Sequence, residues 1–150
     1  MNAPIEYLLA GYTVEKDRRV LLQDPRTGYI LVRMGECDGA HKSVSLYPNL
    51  TEVAKRFGPA WTRSQVFPRK PLSLETGRGV KIGDRPEQVF RKMGKPTRKG
   101  GSLQHADETV WSYHHVQGSH EKGAEYISRF RFRRDRVTGI ELLREAIPGC

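Results

Sequence analysis

GVKIGDRPEQVFRKMGKPTRKGG, residues 79–101, is the stretch of the sequence that marks a helix most clearly. Asp84 is the predicted N-cap, Glu87 follows at the capping-box position, and Pro86 falls in the first turn, where proline is tolerated. Gly94 and the proline two residues later form a common C-terminal stop. The apolar residues between these signals recur at helical spacing: Val89, Phe90 and Met93. The stretch therefore predicts a short amphipathic helix, which needs a sheet to lie on.

Three strand-like segments follow this helix and supply the predicted sheet. Residues 109–115 and 126–133 are rich in aromatic and β-branched side chains, and residues 137–143 return after a turn at 133–136. Segment 126–133 alternates strictly, so its two sets of side chains point to opposite faces. One face is expected to be core, and the other is expected to be basic and open to water, with Arg129, Arg131 and Arg133 on it.

The first half of the chain predicts a hairpin and a second short helix. Residues 19–23 and 29–33 are β-rich and flank a turn that contains both Pro and Gly, and residues 43–47 read as a further strand. Asn49 then caps a helix of about two turns, with Glu52 at its capping-box position and a Gly-Pro stop.

These elements predict an α+β protein in which short helices pack on one face of an antiparallel sheet, with an additional N-terminal β-hairpin. A first unit, residues 1–78, is expected to pack with a second unit, residues 79–150, in one compact domain. The tail, residues 144–150, is expected to be loosely held.

The composition favours a folded protein with acidic partners. Apolar residues are 37% and charged residues 29% of the 150-residue chain, and the net charge is +9 with a pI near 9.8. Such a charge favours an acidic protein surface or an anionic lipid, and it leaves nucleic acid possible. Charge alone does not choose among them.

Two further features bear on the compartment. No apolar run is long enough to span a membrane, and no basic-then-apolar export signal precedes the first strands, so we expect a soluble chain. The expected location is periplasmic or envelope-associated if an export signal lies upstream, and cytoplasmic otherwise. Cys37 and Cys150 fit either one disulfide or two free thiols.

Residues 79–143 resemble a known family. The order of a Gly-ended lead-in, a helix with an internal Val, a Met-Gly-x-Pro stop, a Trp-x-Tyr strand and a Phe-x-Phe hairpin is similar to that of the SmpA/OmlA (BamE) outer-membrane assembly lipoproteins and the wider β-lactamase-inhibitor-protein-like fold group. The resemblance implies helices layered on an antiparallel sheet and a role in binding proteins rather than in catalysis. Its motif residues here are Gly83, Val89, Gly94, Pro96, Trp111, Tyr113, Phe130 and Phe132.

The candidate binding residues are basic. Because arginine presents a planar fork of donors to carboxylate or phosphate, we expect the basic sheet face to contact an acidic partner or anionic lipid head groups. A plain alternative is a charged strand face that only discourages aggregation. The candidate residues on the strand and after the helix are Arg129, Arg131, Arg133, Arg98 and Lys99.

The aromatic residues of segment 109–115 allow a second function. Trp111 and Tyr113 share one face of their strand and are expected to be core, opposite the helix. If they were exposed beside the arginines, they would form a stacking platform for single-stranded nucleic acid. A nucleic-acid-binding module that uses the same sheet face is therefore the alternative function.

The sequence gives little support for catalysis or for a metal. It contains no nucleophile-elbow, phosphate-loop or zinc-protease motif. His114 and His115 are adjacent on a strand and point to opposite faces, so they do not easily share an ion, and His105 and His120 add no ligand spacing. We expect a protein that is not an enzyme and that needs no metal or cofactor. An enzyme with an unfamiliar site is the third hypothesis.

Overall fold

The computed structural model describes residues 19–36, 40–59, 74–102, 106–119 and 121–147. Cys37, Cys150, His105 and His120 lie outside these ranges, so the predictions made on them stay open. The described elements, in chain order, are β1 Arg19–Gln23, β2 Ile30–Glu36, β3 His41–Tyr47, α1 Leu50–Phe57, α2 Pro86–Met93, β4 Arg98–Gly101, β5 Thr109–Gly118, β6 Gly123–Arg133 and β7 Arg136–Ile147.

The seven strands form one antiparallel sheet in the order β1-β2-β3-β7-β6-β5-β4. Neighbouring strands along the chain form two meanders, and the pairing of β3 with β7 joins them. In that joint Leu46 lies opposite Ile140, and Val44 lies opposite Leu142. Strands from both halves of the chain therefore share one ladder of hydrogen bonds, while the division into units at residue 78 stays a prediction.

The predicted fold class is wrong. Strand takes 52% and helix 15% of the described residues, so the protein is mainly a sheet with two short helices rather than a layer of helices on a sheet. The two helices also do not share a face. The structure has one strand more than predicted, β4 at residues 98–101, and the predicted N-terminal hairpin belongs to the same sheet as the later strands.

One face of the sheet, which we name the α2 face, holds the larger core. Val89 of α2 is fully buried there against the apolar side chains of six strands. The lead-in to α2 contributes the fully buried Val80. The other buried members are Leu22, Leu31, Leu46, Trp111, Tyr113, Phe130, Phe132, Val137, Ile140 and Leu142.

The opposite face, which we name the α1 face, holds a second, smaller core. Val53 of α1 is fully buried there, and Tyr47 meets Phe57 edge to face with 5.9 Å between ring centroids. Its other buried members are Leu21, Ile30 and Val32. The consecutive residues Ile30, Leu31 and Val32 alternate between the two cores, so β2 is buried on both faces.

The two helix starts differ in how well the sequence predicts them. In α1 the predicted N-cap is confirmed, because the Asn49 side chain accepts a hydrogen bond from the Glu52 N–H at 2.9 Å. In α2 the predicted N-cap Asp84 is wrong: Arg85 is the N-cap, and Gln88, not Glu87, accepts its N–H at 2.8 Å.

Asp84 has a different task, which explains the shift of the cap by one residue. Its carbonyl accepts from the Val137 N–H at 2.8 Å, and its carboxylate accepts from the Lys92 ammonium at 2.8 Å and the Lys81 N–H at 3.1 Å. The Gly83 N–H donates to the Val137 carbonyl at 2.8 Å. These bonds fasten the start of α2 to the start of β7.

The last hairpin is confirmed and is longer than predicted. Arg134 and Asp135 both have positive φ angles, 51° and 58°, in the two-residue turn between β6 and β7. A bulge at Thr138 shifts the register between Arg131 and Phe132. Residues 144–147 were expected to be loosely held, but they continue β7, because Arg144 pairs with positions on both neighbouring strands.

Candidate functional site

The strand register places charged side chains in one row on the α1 face. Arg98, Ser112, Arg129 and Glu141 are successive cross-strand partners on β4, β5, β6 and β7. Because paired residues of antiparallel strands point to the same face, all four share the face on which α1 lies. Arg131 belongs to the neighbouring row of the same face.

Four of these residues line a groove of about 330 Å³, which we name the cationic groove: Arg98, Ser112, Arg129 and Arg131. Four arginines, from the two strands β4 and β6 and from α1, contribute guanidinium groups to it. Glycine, serine and one valine make up the rest of the described lining. The described lining is Arg56, Arg98, Arg129, Arg131, Gly100, Gly101, Ser102, Val110 and Ser112.

Two of the four arginines are held by carboxylates. Arg131 donates from Nε to Glu141 at 2.7 Å and from Nη1 to Glu108 at 2.7 Å. Arg56 reaches down from α1 and donates to both oxygens of Glu141, at 3.1 and 3.2 Å. Tyr47 adds an O–H donor to Glu141 at 3.1 Å. Glu141 therefore anchors α1 to the sheet through charge-assisted hydrogen bonds.

The pKa of the tyrosine in this network, Tyr47, is shifted strongly upward. Burial raises the pKa of Tyr47 well above its ordinary value, and the neighbouring Glu141 charge raises it further. The phenol therefore stays protonated and keeps donating to Glu141.

The other two arginines have no such partner. Arg98 is exposed and Arg129 is half-buried, and neither forms an ion pair with any residue in the described part of the chain. Glu108 and Glu141 bind Arg131 and Arg56, whereas no described carboxylate pairs with Arg98 or Arg129, so these two arginines bring uncompensated positive charge to the groove. Such a charge favours an anionic ligand.

The structure separates the five predicted binding residues. Arg98, Arg129 and Arg131 line the same groove. Arg133 is paired with α1, because its Nη1 donates a hydrogen bond to the Glu52 carboxylate at 2.8 Å. Lys99 lies on the opposite face, where its ammonium sits 4.5 Å from the centroid of the Trp111 ring.

The expectation that Arg131 faces water is wrong. Its exposed fraction is 7%, because α1 covers this part of the face and because Glu108 and Glu141 close over the guanidinium group. Arg131 therefore shapes the groove and holds charge at its floor, whereas Arg98 and Arg129 are the groups that a ligand can reach.

The predicted core role of the aromatic residues is confirmed. Trp111 and Tyr113 are each 8% exposed on the α2 face, and they pack on Phe132 and Phe130 with ring centroids 4.9 and 5.8 Å apart. The Tyr113 hydroxyl donates to the Gly94 carbonyl at 2.9 Å, and burial raises the pKa of Tyr113 to about 12. These rings and the cationic groove lie on opposite faces.

Sequence reasoning missed Arg56, Glu108 and Glu141. For Arg56 the sequence does contain a signal. Runs of consecutive apolar residues such as 30–32 indicate a strand that is buried on both faces. A second covering element was therefore required, and α1 is that element. Nothing local marks Glu108 or Glu141, because their role depends on partners that lie far away in sequence.

Two of the three described histidines each contact a carboxylate. His114 contacts Glu125, and His41 contacts Glu145, each with Nδ1 3.0 Å from a carboxylate oxygen. Within the described residues, no group of three or more His, Cys, Asp or Glu side chains is arranged to hold a metal ion.

Comparisons with protein-family models, with curated proteins and with solved structures found no match to this chain. The resemblance of residues 79–143 to the SmpA/OmlA family therefore stays a prediction from the motif residues. No helix among the described residues has the length and apolar character needed to cross a membrane.

Proposed function

We propose that this protein is a non-enzymatic binding module that holds an acidic segment of a partner protein in the cationic groove. The observation that carries the proposal is the pair Arg98 and Arg129, which project into a groove of about 330 Å³ without a carboxylate partner among the described residues. The resemblance to the SmpA/OmlA family also favours a role in binding, and an association with the cell envelope remains part of the proposal.

The chemistry of the groove suits carboxylates. A guanidinium group binds a carboxylate through two parallel hydrogen bonds, and a half-buried one such as Arg129 is screened less by water than an exposed one. The floor contributes the buried Arg131, whose charge adds to the field although its donors to Glu108 and Glu141 are occupied. The chain's net charge of +9 speeds the encounter with an acidic partner.

Nucleic acid is the rival ligand and becomes an outcome of the test. The described lining offers no aromatic ring on which a base would stack, because Trp111 and Tyr113 lie on the α2 face. Contacts to a phosphate backbone alone would be possible. A lipid surface binds best where large apolar side chains are exposed, and the described lining holds no apolar side chain larger than Val110, so a protein segment is favoured.

Titration of a fluorescent, glutamate-rich peptide tests the proposal. We expect Arg98→Gln and Arg129→Gln each to weaken binding about five- to tenfold, or roughly 1–1.4 kcal/mol. Arg91→Gln is the matched control, because Arg91 is exposed on α2, on the other side of the sheet, and its loss changes the net charge equally. We expect this control to change affinity less than twofold.

Two outcomes would contradict the proposal. If all three variants weaken binding equally, the peptide responds to net charge and not to the groove. If an oligonucleotide with the same number of charges binds more tightly than the peptide and depends on Arg98 and Arg129, the groove serves nucleic acid. Measuring both ligands over a range of salt concentrations separates these cases.

A further inference from the structure

An exposed edge strand borders the cationic groove. Among the described strands, β4 pairs only with β5 and stands at the end of the strand order, and all four of its residues are exposed. Edge strands present unpaired backbone groups to which another chain can add. The sequence of β4, Arg-Lys-Gly-Gly, contains no proline and no inward-pointing acid to prevent this.

The outward backbone groups of β4 can be assigned from its neighbour. The His114 N–H donates to the Thr97 hydroxyl at 3.0 Å, so the N–H groups of even-numbered residues in β5 point towards β4. Hydrogen-bonded pairs alternate along an antiparallel ladder, which makes Arg98–Ser112 and Gly100–Val110 the bonded pairs. The N–H and C=O groups of Lys99 and Gly101 therefore point away from the sheet.

The two glycines leave this edge open to close approach. A Cβ added at Gly100 or Gly101 would meet no atom within 4 Å. Gly100 and Gly101 also line the groove, so at Gly100 a strand beside β4 would have no side chain between itself and the space over Val110, the partner of Gly100 on β5. Arg98 is the one side chain that β4 directs to the α1 face beside that space.

We infer that the acidic segment binds as an eighth strand, pairing its backbone with Lys99 and Gly101 and directing alternate carboxylates to Arg98 and into the groove. This inference rests on the proposed function for the charge of the partner and adds its conformation. Edge-strand addition of this kind obtains affinity from main-chain hydrogen bonds and specificity from alternate side chains.

The charge of the edge selects the occupant. A second copy of β4 would bring Arg98 and Lys99 of both chains side by side, and like charges on neighbouring strands repel each other. An acidic strand meets the opposite sign. Because alternate residues of a strand share a face, the favoured segment carries its acids at every second position rather than in a block.

N-methylated peptides test the inference on the unchanged protein. The probe is an extended peptide that alternates Glu and Thr, with two methylated forms that block either the odd or the even backbone N–H groups. A strand beside β4 uses only one of these sets. We expect one methylated form to bind at least tenfold more weakly and the other to bind within twofold of the unmodified peptide.

Two variants of Gly101 test the backbone hydrogen bond between β4 and the peptide by changing the protein. Gly101→Pro removes an outward N–H without removing a hydrogen bond to β5, and Gly101→Ala keeps that N–H and adds a methyl group to open space. We expect Gly101→Pro to weaken binding about tenfold more than Gly101→Ala does, because only proline removes the outward N–H. If Gly101→Pro fails to fold, as judged by circular dichroism, the methylated peptides still decide the question.

The outcomes separate this inference from the proposed function. Equal loss for both methylated forms, with Arg98→Gln and Arg129→Gln still weakening binding, would overturn the eighth strand and leave the acidic groove standing. Equal binding of an alternating peptide and of one with its acids in a block would also count against the strand. No binding of the unmodified peptide at low salt would overturn both.

Discussion

Glu141→Gln tests whether the buried ion network holds α1 on the sheet. Glu141 is 7% exposed and accepts hydrogen bonds from Tyr47, Arg56 and Arg131. Glutamine keeps the size of the side chain but keeps only one acceptor oxygen, and its amide group turns towards N–H or O–H donors. The two arginines also lose the negative charge between them.

The expected cost follows from the arrangement of partners. Breaking a buried ion pair by removing one partner costs about 3–5 kcal/mol, and we expect a value near the lower end, about 3 kcal/mol, because Arg131 keeps Glu108. Equilibrium unfolding in urea at neutral pH measures this change. A loss of this size is compatible with a folded variant, since small domains have about 5–15 kcal/mol of stability.

Glu145→Gln is the matched control. Glu145 lies on the same strand and the same face, but its side chain is 47% exposed, and its described contact is His41. An exposed pair contributes about 0–1 kcal/mol, so we expect a change of less than about 1 kcal/mol. If Glu141→Gln costs no more than this control, the network does not hold α1 in place.

Three further predictions concern other parts of the fold. Unfolding stability should fall as the pH rises from 10 to about 12, because folded Tyr113 keeps a proton that the unfolded chain loses, and Tyr113→Phe should reduce this fall in a pH series of urea titrations. Val53→Ala and Val89→Ala should each lower the free energy of unfolding by about 2 kcal/mol, because each valine is fully buried under its helix. If only Val89→Ala lowers it, the packing of α1 on the sheet would be contradicted. Lys92→Met should cost about 1–2 kcal/mol in the same assay, because the Asp84 carboxylate loses its ammonium partner, and an unchanged midpoint would contradict this role.

The sequence alone located most of the local elements. Some signals act within a few residues and do not depend on the rest of the chain. They are the alternation of residues 126–133, the turn between 19–23 and 29–33, and the Asn49 cap. The split between aromatic and basic faces in β6 is of the same kind, because it follows from the period of a strand. Strand β4 escaped prediction because its side chains carry no alternation, and only pairing with β5 makes it a strand.

Only the tertiary structure decided what lies over the basic face. The pairing of Leu46 with Ile140 joins positions 94 residues apart, and this joint brings α1 over the face that carries Arg129 and Arg131. That placement buries Arg131, leaves Arg129 at a groove, and gathers Glu108 and Glu141 as partners. The physical reason is that a strand pattern specifies two faces but not their coverings, which depend on how distant apolar surfaces are buried together.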